Sequence, residues 1–331
     1  MIHGSGGHEP VHHAAIVRET GAPSDHRRTG LPVYPGTMCG RFTLTTPTDE
    51  LADYFRVLED GRPSARGLLR PRYNVAPTQP VLCVRRAHPS GAGEGGESLA
   101  TPAARAHHAA SGSCERREMV AMVWGLIPYW AKDPAIGNRM INARAESVAN
   151  KPAYKEAFRR RRCLVPADGF YEWKVQPGGK QPYFIHLEGR HPFAFAGLWE
   201  RWRPRGDQLE IAGPDRPEGP LTAGGRVESC AFLTTEPNEL TEQIHDRMPL
   251  ILPERHWETW LDPAINDPSA LAELLVPYPA DDMRAYPVST HVNKPEHDDR
   301  ACIEPLETIR ILRPESPDDA PRRDPDQPSL F

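Results

Sequence analysis

The chain has 331 residues, a net charge of −5 and six cysteines. This length can bury a sizeable core without cross-links, and the scattered cysteines, with no C-x-x-C pair, argue against a disulfide framework or a zinc site. No apolar run approaches the roughly 20 residues of a membrane span and no secretory signal is recognisable, so a reducing cytoplasm is the expected compartment.

The charge is unevenly distributed along the chain. Residues 38–190 hold 23 Lys and Arg against 15 Asp and Glu, whereas the remainder holds 17 against 30. The basic part contains four consecutive arginines, Arg159–Arg162. Such a positive face suits phosphates, although a solvated helix end explains the arginine run equally well.

Low-complexity segments flank and interrupt one candidate domain. Residues 1–37 are rich in Gly, His and Pro, show no period of 2 or 3.6, and predict a disordered leader or a mis-assigned start. The domain is predicted over 38–306, with surface loop inserts at 87–118 and 203–226. A disordered tail is predicted at 307–331.

The secondary-structure elements follow in chain order. A strand at Arg41–Leu44 precedes a helix with Thr46 as its cap and Pro47 in its first turn. The apolar face of this helix is Leu51, Tyr54, Phe55 and Leu58. Further strands are predicted at Val81–Arg85, Val120–Trp124, Cys163–Val165, Phe170–Trp173, Tyr183–Leu187, Phe193–Leu198, Ser229–Thr234 and Met283–Val288, and helices at Lys151–Arg160, Pro237–Ile244, Pro253–Leu261 and Pro268–Leu275. Because most strands follow one another directly, we expect a single α+β domain with a mainly antiparallel sheet or partly closed β-barrel flanked by helices.

Cys39 directly follows Met38 in the run Met38–Leu44. If the chain began at Met38, removal of the methionine would leave Cys39 as a 1,2-aminothiol. An α-amine titrates near ~7.7–8.0 and a thiol near ~8.5, so both are partly nucleophilic at neutral pH. With an aldehyde the amine forms a Schiff base, and the thiol closes on the imine carbon to give a thiazolidine. The alternative is an ordinary buried cysteine at the start of a strand.

Five further motifs follow in order along the chain. They are Arg72–Gln79 (RYNVAPTQ), Trp124–Pro128 (WGLIP), Asn142–Glu146 (NARAE), Pro166–Trp173 (PADGFYEW) and His245–Pro249 (HDRMP). Together with Met-Cys-Gly-Arg-Phe they resemble the SOS response-associated peptidase (SRAP) family, the abasic-site processing proteins, over roughly residues 38–306. The resemblance implies an SRAP-type domain whose N-terminal cysteine traps the aldehyde of an abasic site in single-stranded DNA, protecting the lesion during replication and repair. An amide-linked Cys39 has no free amine, so the resemblance also implies removal of residues 1–38.

The resemblance assigns the catalytic roles. Glu172 matches the carboxylate that moves protons; without the match it would be an outward-facing charge on an edge strand. His245 matches a second acid/base, an imidazole suited to proton exchange near neutral pH, and otherwise would be a surface or capping residue. Asn142 is expected to orient the cysteine and the sugar. No metal and no cofactor are expected.

Six residues are expected to bind DNA: Arg41, Asn74, Pro77, Trp124, Arg144 and Trp173. Arg144 is expected to pair with a phosphate beside the lesion, with an ion pair to Glu146 as the alternative, and Arg41 to contact phosphate as well. The others are expected to pack against unstacked bases, where stacking is worth ~1–3 kcal/mol per base. Tryptophans in strands are nevertheless usually core residues.

Two other functions remain open at this point. One is a cysteine autopeptidase in which His245 and Glu172 activate the Cys39 thiol, and the other is a non-enzymatic reader of modified bases. The last residues, with Gln327, Leu330 and Phe331, resemble peptides that dock into the bacterial sliding clamp, or match by chance. A monomer is expected, because there is no coiled-coil repeat.

Overall fold

The structure is a computed structural model of the chain, and it describes residues 40–58, 70–87, 116–203, 221–222 and 226–306. The predicted leader, Cys39, the interior of both inserts and the predicted tail with Gln327, Leu330 and Phe331 lie outside the described residues. None of the helices in the described ranges has the length and apolarity needed to cross a membrane.

The described part of the chain is built mainly from strands. In chain order these are β1 (Phe42–Leu44), β2 (Arg72–Val75), β3 (Pro80–Arg86), β4 (Arg117–Trp124), β5 (Asn142–Arg144), β6 (Arg162–Ala167), β7 (Gly169–Gln176), β8 (Gly179–Leu187), β9 (Phe193–Trp202), β10 (Leu221–Thr222), β11 (Arg226–Thr235), β12 (Met248–Pro249) and β13 (Met283–Pro287). The α-helices are short: α1 (Thr48–Tyr54), α2 (Lys155–Arg160), α3 (Trp257–Leu261) and α4 (Pro268–Ala272).

Five of the strands close a barrel. Their order is β11-β4-β3-β6-β9, and β9 pairs back to β11 over six residue pairs from Val227 opposite Trp202 to Phe232 opposite Gly197. Strands β5, β10 and β12 also pair with β11. The pairings are antiparallel except where β11 runs parallel to β4 and to β5.

A five-stranded antiparallel sheet, in the order β13-β8-β7-β1-β2, packs on the barrel. Phe42 of β1 enters the shared core, where its ring contacts Trp124, Phe195 and Phe232 edge-on at 5.4–6.1 Å between centroids. Helix residues Phe158, Trp257 and Trp260 pack in a second core cluster. The expected α+β fold, with an antiparallel sheet, a β-barrel and flanking helices, is confirmed.

Some predicted boundaries are wrong. Thr46 does not cap α1, because its hydroxyl donates to Asp168 Oδ1 at 2.7 Å, and the helix begins at Thr48 after Pro47. The helix ends at Tyr54, so Leu58 is 50 % exposed instead of continuing the apolar face.

Three other segments also differ from their predictions. The first insert ends earlier than predicted, because Arg117 and Glu118 already pair with β3, and the second contains β10. The helix predicted at Pro237–Ile244 is only a 3-10 turn, Thr241–Gln243, because the side chains of Asn238 and Thr241 bond to each other's backbone N–H groups.

The arginine run is only partly a surface feature. Arg159 and Arg160 end α2 and are exposed. Arg162 is 4 % exposed, donates to backbone carbonyls that include those of Phe158 and Ile265, and has its pKa lowered by burial to about 10. Arg161 pairs with Glu200 at 2.7 Å, so only Arg159 and Arg160 remain available to an anion.

Candidate functional site

The pairing of β1 with β7 sets the position of Gly40, the neighbour of Cys39, relative to Glu172. In the β1–β7 pairing, Phe42 lies opposite Phe170 and Thr43 opposite Gly169. The N–H of Tyr171 donates to the Arg41 carbonyl at 3.0 Å, which continues the same register. This register aligns Gly40, the residue directly after Cys39, with Glu172.

Asp168 holds β1 in this register. Its carboxylate accepts hydrogen bonds from the hydroxyls of Thr45 (2.8 Å) and Thr46 (2.7 Å), from the Thr46 N–H at 2.9 Å, and from the Thr45 N–H. Apart from its place in the PADGFYEW motif, no sequence signal points to this role of Asp168. One carboxylate thus fixes the end of β1 to the turn that leads into β7.

Glu172 is buried on an interior strand. Its residue exposure is 2 %, and β7 lies between β8 and β1. Because side chains alternate along a strand, Glu172 shares a face with Phe170, which packs in the core beneath the barrel, while Tyr171 and Trp173 take the opposite face. The alternative interpretation, an outward charge on an edge strand, is wrong. Glutamates are rarely this buried, so Glu172 is a candidate functional residue.

A second group of polar residues gathers at the C-terminal end of β11. Arg144 of β5 lies opposite Thr234, and Asn142 lies opposite Phe232. Their spacing of two places both on one face of β5, while Ala143 between them is buried. Asn142 is half-buried and Arg144 is exposed, so Arg144 is accessible to a phosphate.

His245 has partners for both protonation states of its ring. Its Nδ1 accepts from the backbone N–H of Arg247 at 3.1 Å, which requires Nδ1 to carry no proton. The same Nδ1 lies 2.9 Å from Asp246 Oδ1, which can accept once Nδ1 is protonated. The side chain is 24 % exposed, so the ring is accessible to a ligand and to solvent.

Arg247 is a site residue that the sequence interpretation missed, although it lies in the HDRMP motif. It makes a bidentate pair with Glu146, with Nη2 and Oε2 3.0 Å apart, and Nη2 also donates to the Thr234 carbonyl at 2.7 Å. Glu146 therefore pairs with Arg247, and the predicted alternative of an Arg144–Glu146 ion pair is wrong. The bond from Arg247 lowers the pKa of Glu146, which keeps this carboxylate charged between two cations.

Asn74 holds the outer face of the five-stranded sheet together. It is 0 % exposed, its Oδ1 accepts from Arg41 Nη1 at 2.8 Å, and its Nδ2 lies 2.7–3.0 Å from the carbonyls of Val292, Lys294 and His297. No surface of Asn74 is left for a base. The predicted DNA contact is therefore wrong, and Asn74 is a buried structural residue.

Arg41 and Trp173 form, with Asn74 and the loop residues Val292 and Asn293, a group of hydrogen-bonded residues that we call the outer-face cluster. Arg41 donates to the carbonyls of Val292 (2.7 Å) and Asn293 (3.2 Å), and Trp173 Nε1 donates to Asn293 Oδ1 at 2.8 Å. Burial lowers the pKa of Arg41, and its guanidinium lies 6.0 Å from the centre of the Trp173 ring. Both residues are only half-buried, so their contacts with DNA stay predictions, as does that of the half-buried Pro77.

Trp124 is a core residue. It is 0 % exposed, its Nε1 donates to the Ile141 carbonyl at 2.9 Å, and its ring packs against Phe42 and Phe232. The predicted stacking of a base on Trp124 is wrong, because no face of the ring is accessible. The sequence had left the core role open for tryptophans in strands.

Comparisons with known proteins now give the class to which this fold and site belong. The family model described as "SOS response associated peptidase (SRAP)" matches residues 38–295, so the chain belongs to the SRAP family. It is 40 % identical over 268 residues to the abasic site processing protein YoqW of Bacillus subtilis, covering 81 % of this chain and 99 % of YoqW. It is 33 % identical over 254 residues to the abasic site processing protein HMCES of Gallus gallus, covering 73 % and 68 %. A protein of Bacteroides thetaiotaomicron with a known crystal structure shares the fold, with a TM-score of 0.59 at 23 % identity over 81 % of this chain and 100 % of that one.

Proposed function

We propose that this protein senses abasic sites in single-stranded DNA and traps them as a covalent thiazolidine on Cys39, after removal of residues 1–38. The observation that carries the proposal is the register that aligns Gly40, the neighbour of Cys39, with the buried Glu172. The relatives named abasic site processing proteins support the same lesion.

The reaction needs proton transfers at one carbon. The ring-opened sugar presents an aldehyde at C1′, the α-amine of Cys39 adds to it, and the carbinolamine loses water to give an imine. The Cys39 thiolate then adds to the imine carbon, and the nitrogen takes up a proton. The sum is aminothiol plus aldehyde giving thiazolidine plus one water, with no redox change. Glu172 is the group proposed to donate and accept these protons, with His245 as the second acid/base at the sugar oxygen and Asn142 orienting the reactants.

The exposed cation Arg144 is proposed to bind a phosphate beside the lesion, with Arg41 supporting the same strand. Arg144 pairs with Thr234 of β11, and Arg247 donates to the carbonyl of the same Thr234, so the two arginines flank Glu146. Pro77 and Trp173 are the residues proposed to pack against bases. Binding through phosphates implies a steep dependence of affinity on salt.

The experiment separates the amine from the thiol. Three chains that begin at Met38 are compared: the unmodified sequence, one with an alanine inserted between Met38 and Cys39, and Cys39→Ser. Each is incubated with abasic single-stranded DNA and its intact mass is measured. Only the unmodified chain should give a denaturation-resistant adduct. Cys39→Ser and the insertion variant each keep an N-terminal amine but lack the adjacent thiol, so they should give at most an imine that borohydride traps. A stable adduct from the insertion variant would refute the thiazolidine.

The catalytic roles have their own test. Glu172→Gln should slow adduct formation by roughly 10²–10⁴-fold, the usual contribution of a general acid/base. Glu239→Gln, at an exposed position, is the matched control and should leave the rate unchanged. If the full chain instead cleaved itself before Cys39 without forming adducts, the autopeptidase function would replace this one.

A further inference from the structure

A further convergence of polar side chains lies in the segment 289–303, which contributes none of the catalytic residues proposed above. Two 3-10 turns, Thr290–Asn293 and Arg300–Ile303, bring His291, Asp299 and Cys302 together. One potential ligand atom from each lies within 4.8 Å of the other two, and His291 Nε2 is 3.0 Å from Asp299 Oδ2. We propose that these three residues form a binding site for a divalent transition metal, with Zn²⁺ as the best match.

The donors are one nitrogen, one oxygen and one sulfur, the mixed set that Zn²⁺ accepts. Zinc–ligand bonds of about 2.0–2.3 Å in a tetrahedron imply ligand–ligand separations of about 3.3–3.8 Å. The observed separations between ligand atoms, from 3.0 Å to within 4.8 Å, bracket that range. Small side-chain movements would therefore bring the three ligand atoms to bonding distance of one ion. The side chains of His291 and Asp299 are 32 % and 56 % exposed, which gives the ion an entry path and a water a fourth position.

The backbone around these ligands is already fixed. The Ser289 hydroxyl accepts from the His291 N–H at 3.2 Å, and Asp299 Oδ1 accepts from the Ala301 N–H at 2.9 Å. Asp299 therefore caps its turn with one oxygen and offers the other to the site. Asn74 holds the connecting loop through the carbonyls of Lys294 and His297. Ligands on such a supported loop need little ordering when an ion binds.

Binding exchanges a proton for the ion. The Cys302 thiol, whose Sγ now lies 3.2 Å from the His297 carbonyl, loses its proton as the metal–sulfur bond forms, and the His291–Asp299 hydrogen bond is replaced by two metal bonds. The two positive charges of the ion are balanced by the thiolate and the Asp299 carboxylate, so Arg41 does not face a net positive site.

The site has a structural consequence for the outer-face cluster. Val292 and Asn293, next to His291, accept the hydrogen bonds of Arg41 and Trp173. A metal bridging the two turns would stabilise the loop that supports these side chains. The melting temperature of the metal-loaded protein should therefore rise.

Cobalt(II) is the probe that distinguishes this site from binding to other histidines of the chain. Bound by a thiolate, Co²⁺ shows a sulfur-to-cobalt charge-transfer band in the near ultraviolet. The chelator-treated full chain should develop this band with saturation at one equivalent, and Zn²⁺ should bleach it. Cys302→Ser should abolish the band, whereas Cys39→Ser and the exposed His191→Gln should retain it.

Asp299→Asn keeps an oxygen that can accept from the Ala301 N–H, so the turn should still fold and a loss of metal binding can be assigned to the lost carboxylate. In variants that retain the wild-type near-ultraviolet circular dichroism, Asp299→Asn and His291→Gln should each weaken Co²⁺ binding by at least the ~10–100-fold that loss of an outer-shell partner costs. The proposal is overturned if no charge-transfer band appears, if the band survives in Cys302→Ser, or if both ligand variants bind as tightly as wild type. None of these readouts depends on reaction with DNA.

Discussion

Replacing Asn74 with alanine should destabilise the fold rather than remove a DNA contact. The side chain is fully buried and joins Arg41 to the loop carbonyls of Val292, Lys294 and His297. Alanine removes the acceptor for Arg41 and both amino hydrogens at once. The expected loss is therefore that of a small buried network.

The magnitude follows from counting hydrogens. The amino group has two hydrogens for three carbonyls, so with Oδ1 the side chain makes the equivalent of three bonds, each worth about 0.5–1.5 kcal/mol net. Each of the three carbonyls keeps another donor, which is Arg41 for Val292, the His297 N–H for Lys294 and Cys302 for His297. We expect a loss of about 3–4 kcal/mol, because the removed atoms are also fully packed. At about 2–4 °C per kcal/mol for a domain of this size, the melting temperature should fall by about 6–16 °C.

The assay measures thermal unfolding and DNA affinity on the same variant. Asn150→Ala, at an exposed position, is the matched control and should stay within about 0.5 kcal/mol of wild type. An Asn74→Ala protein with an unchanged melting temperature and weakened DNA binding would refute the structural role and restore the predicted contact.

Three other variants test the remaining interactions. Glu228→Gln breaks the buried ion pairs of Glu228 with Arg85 and Arg201. Because Glu118 still binds Arg85, the free energy of unfolding should fall by about 3 kcal/mol, the lower end of the range for a broken buried pair. An unchanged urea midpoint would contradict this expectation. Burial lowers the pKa of His186 below its ordinary value of 6.5. Just below pH 6.5 the unfolded chain therefore binds more protons than the folded chain, so the free energy of unfolding is highest above this pH and decreases as the pH falls. His186→Gln should therefore flatten the loss of urea midpoint below pH 6.5, and an equal slope in both proteins would exclude this residue as its source. Asp168→Asn should slow adduct formation with little change in DNA affinity, since an amide cannot accept every bond from Thr45 and Thr46; equal rates would show that the β1 register does not depend on it.

The strands could be predicted from sequence where aromatic and β-branched residues cluster. Strands β6, β7 and β9 lie where the sequence placed them, each extended by a few residues, because the ladder continues past the apolar positions. The helices were less predictable, since side-chain bonds such as those between Asn238 and Thr241 compete locally with helix formation.

The motifs locate residues along the chain but do not reveal their exposure. Glu172 is buried on an interior strand and Asn142 is half-buried, and their catalytic roles stay predictions. Trp124 and Asn74, within equally clear motifs, serve the core and the outer-face cluster. The Arg247–Glu146 pair joins residues 101 positions apart, and only the pairing of β5 and β12 with the same end of β11 brings them together. Contacts of that kind are set by topology, which local patterns do not carry.

The position of β1 in the sheet allows the contribution of the N-terminal residue to folding to be tested apart from its contribution to reactivity. In the sheet order β1 lies between β7 and β2, so it is paired on both sides, and Asp168 fixes its far end. The contacts described for this strand begin at Arg41. An alanine inserted between Met38 and Cys39 should therefore leave the free energy of unfolding within about 0.5 kcal/mol of the unmodified chain, the range of a neutral surface change, while abolishing the stable adduct. Urea unfolding of the two proteins measures this directly, and a large destabilisation by the insertion would show that the N-terminal residue is part of the fold and that its loss of reactivity cannot be assigned to the amine.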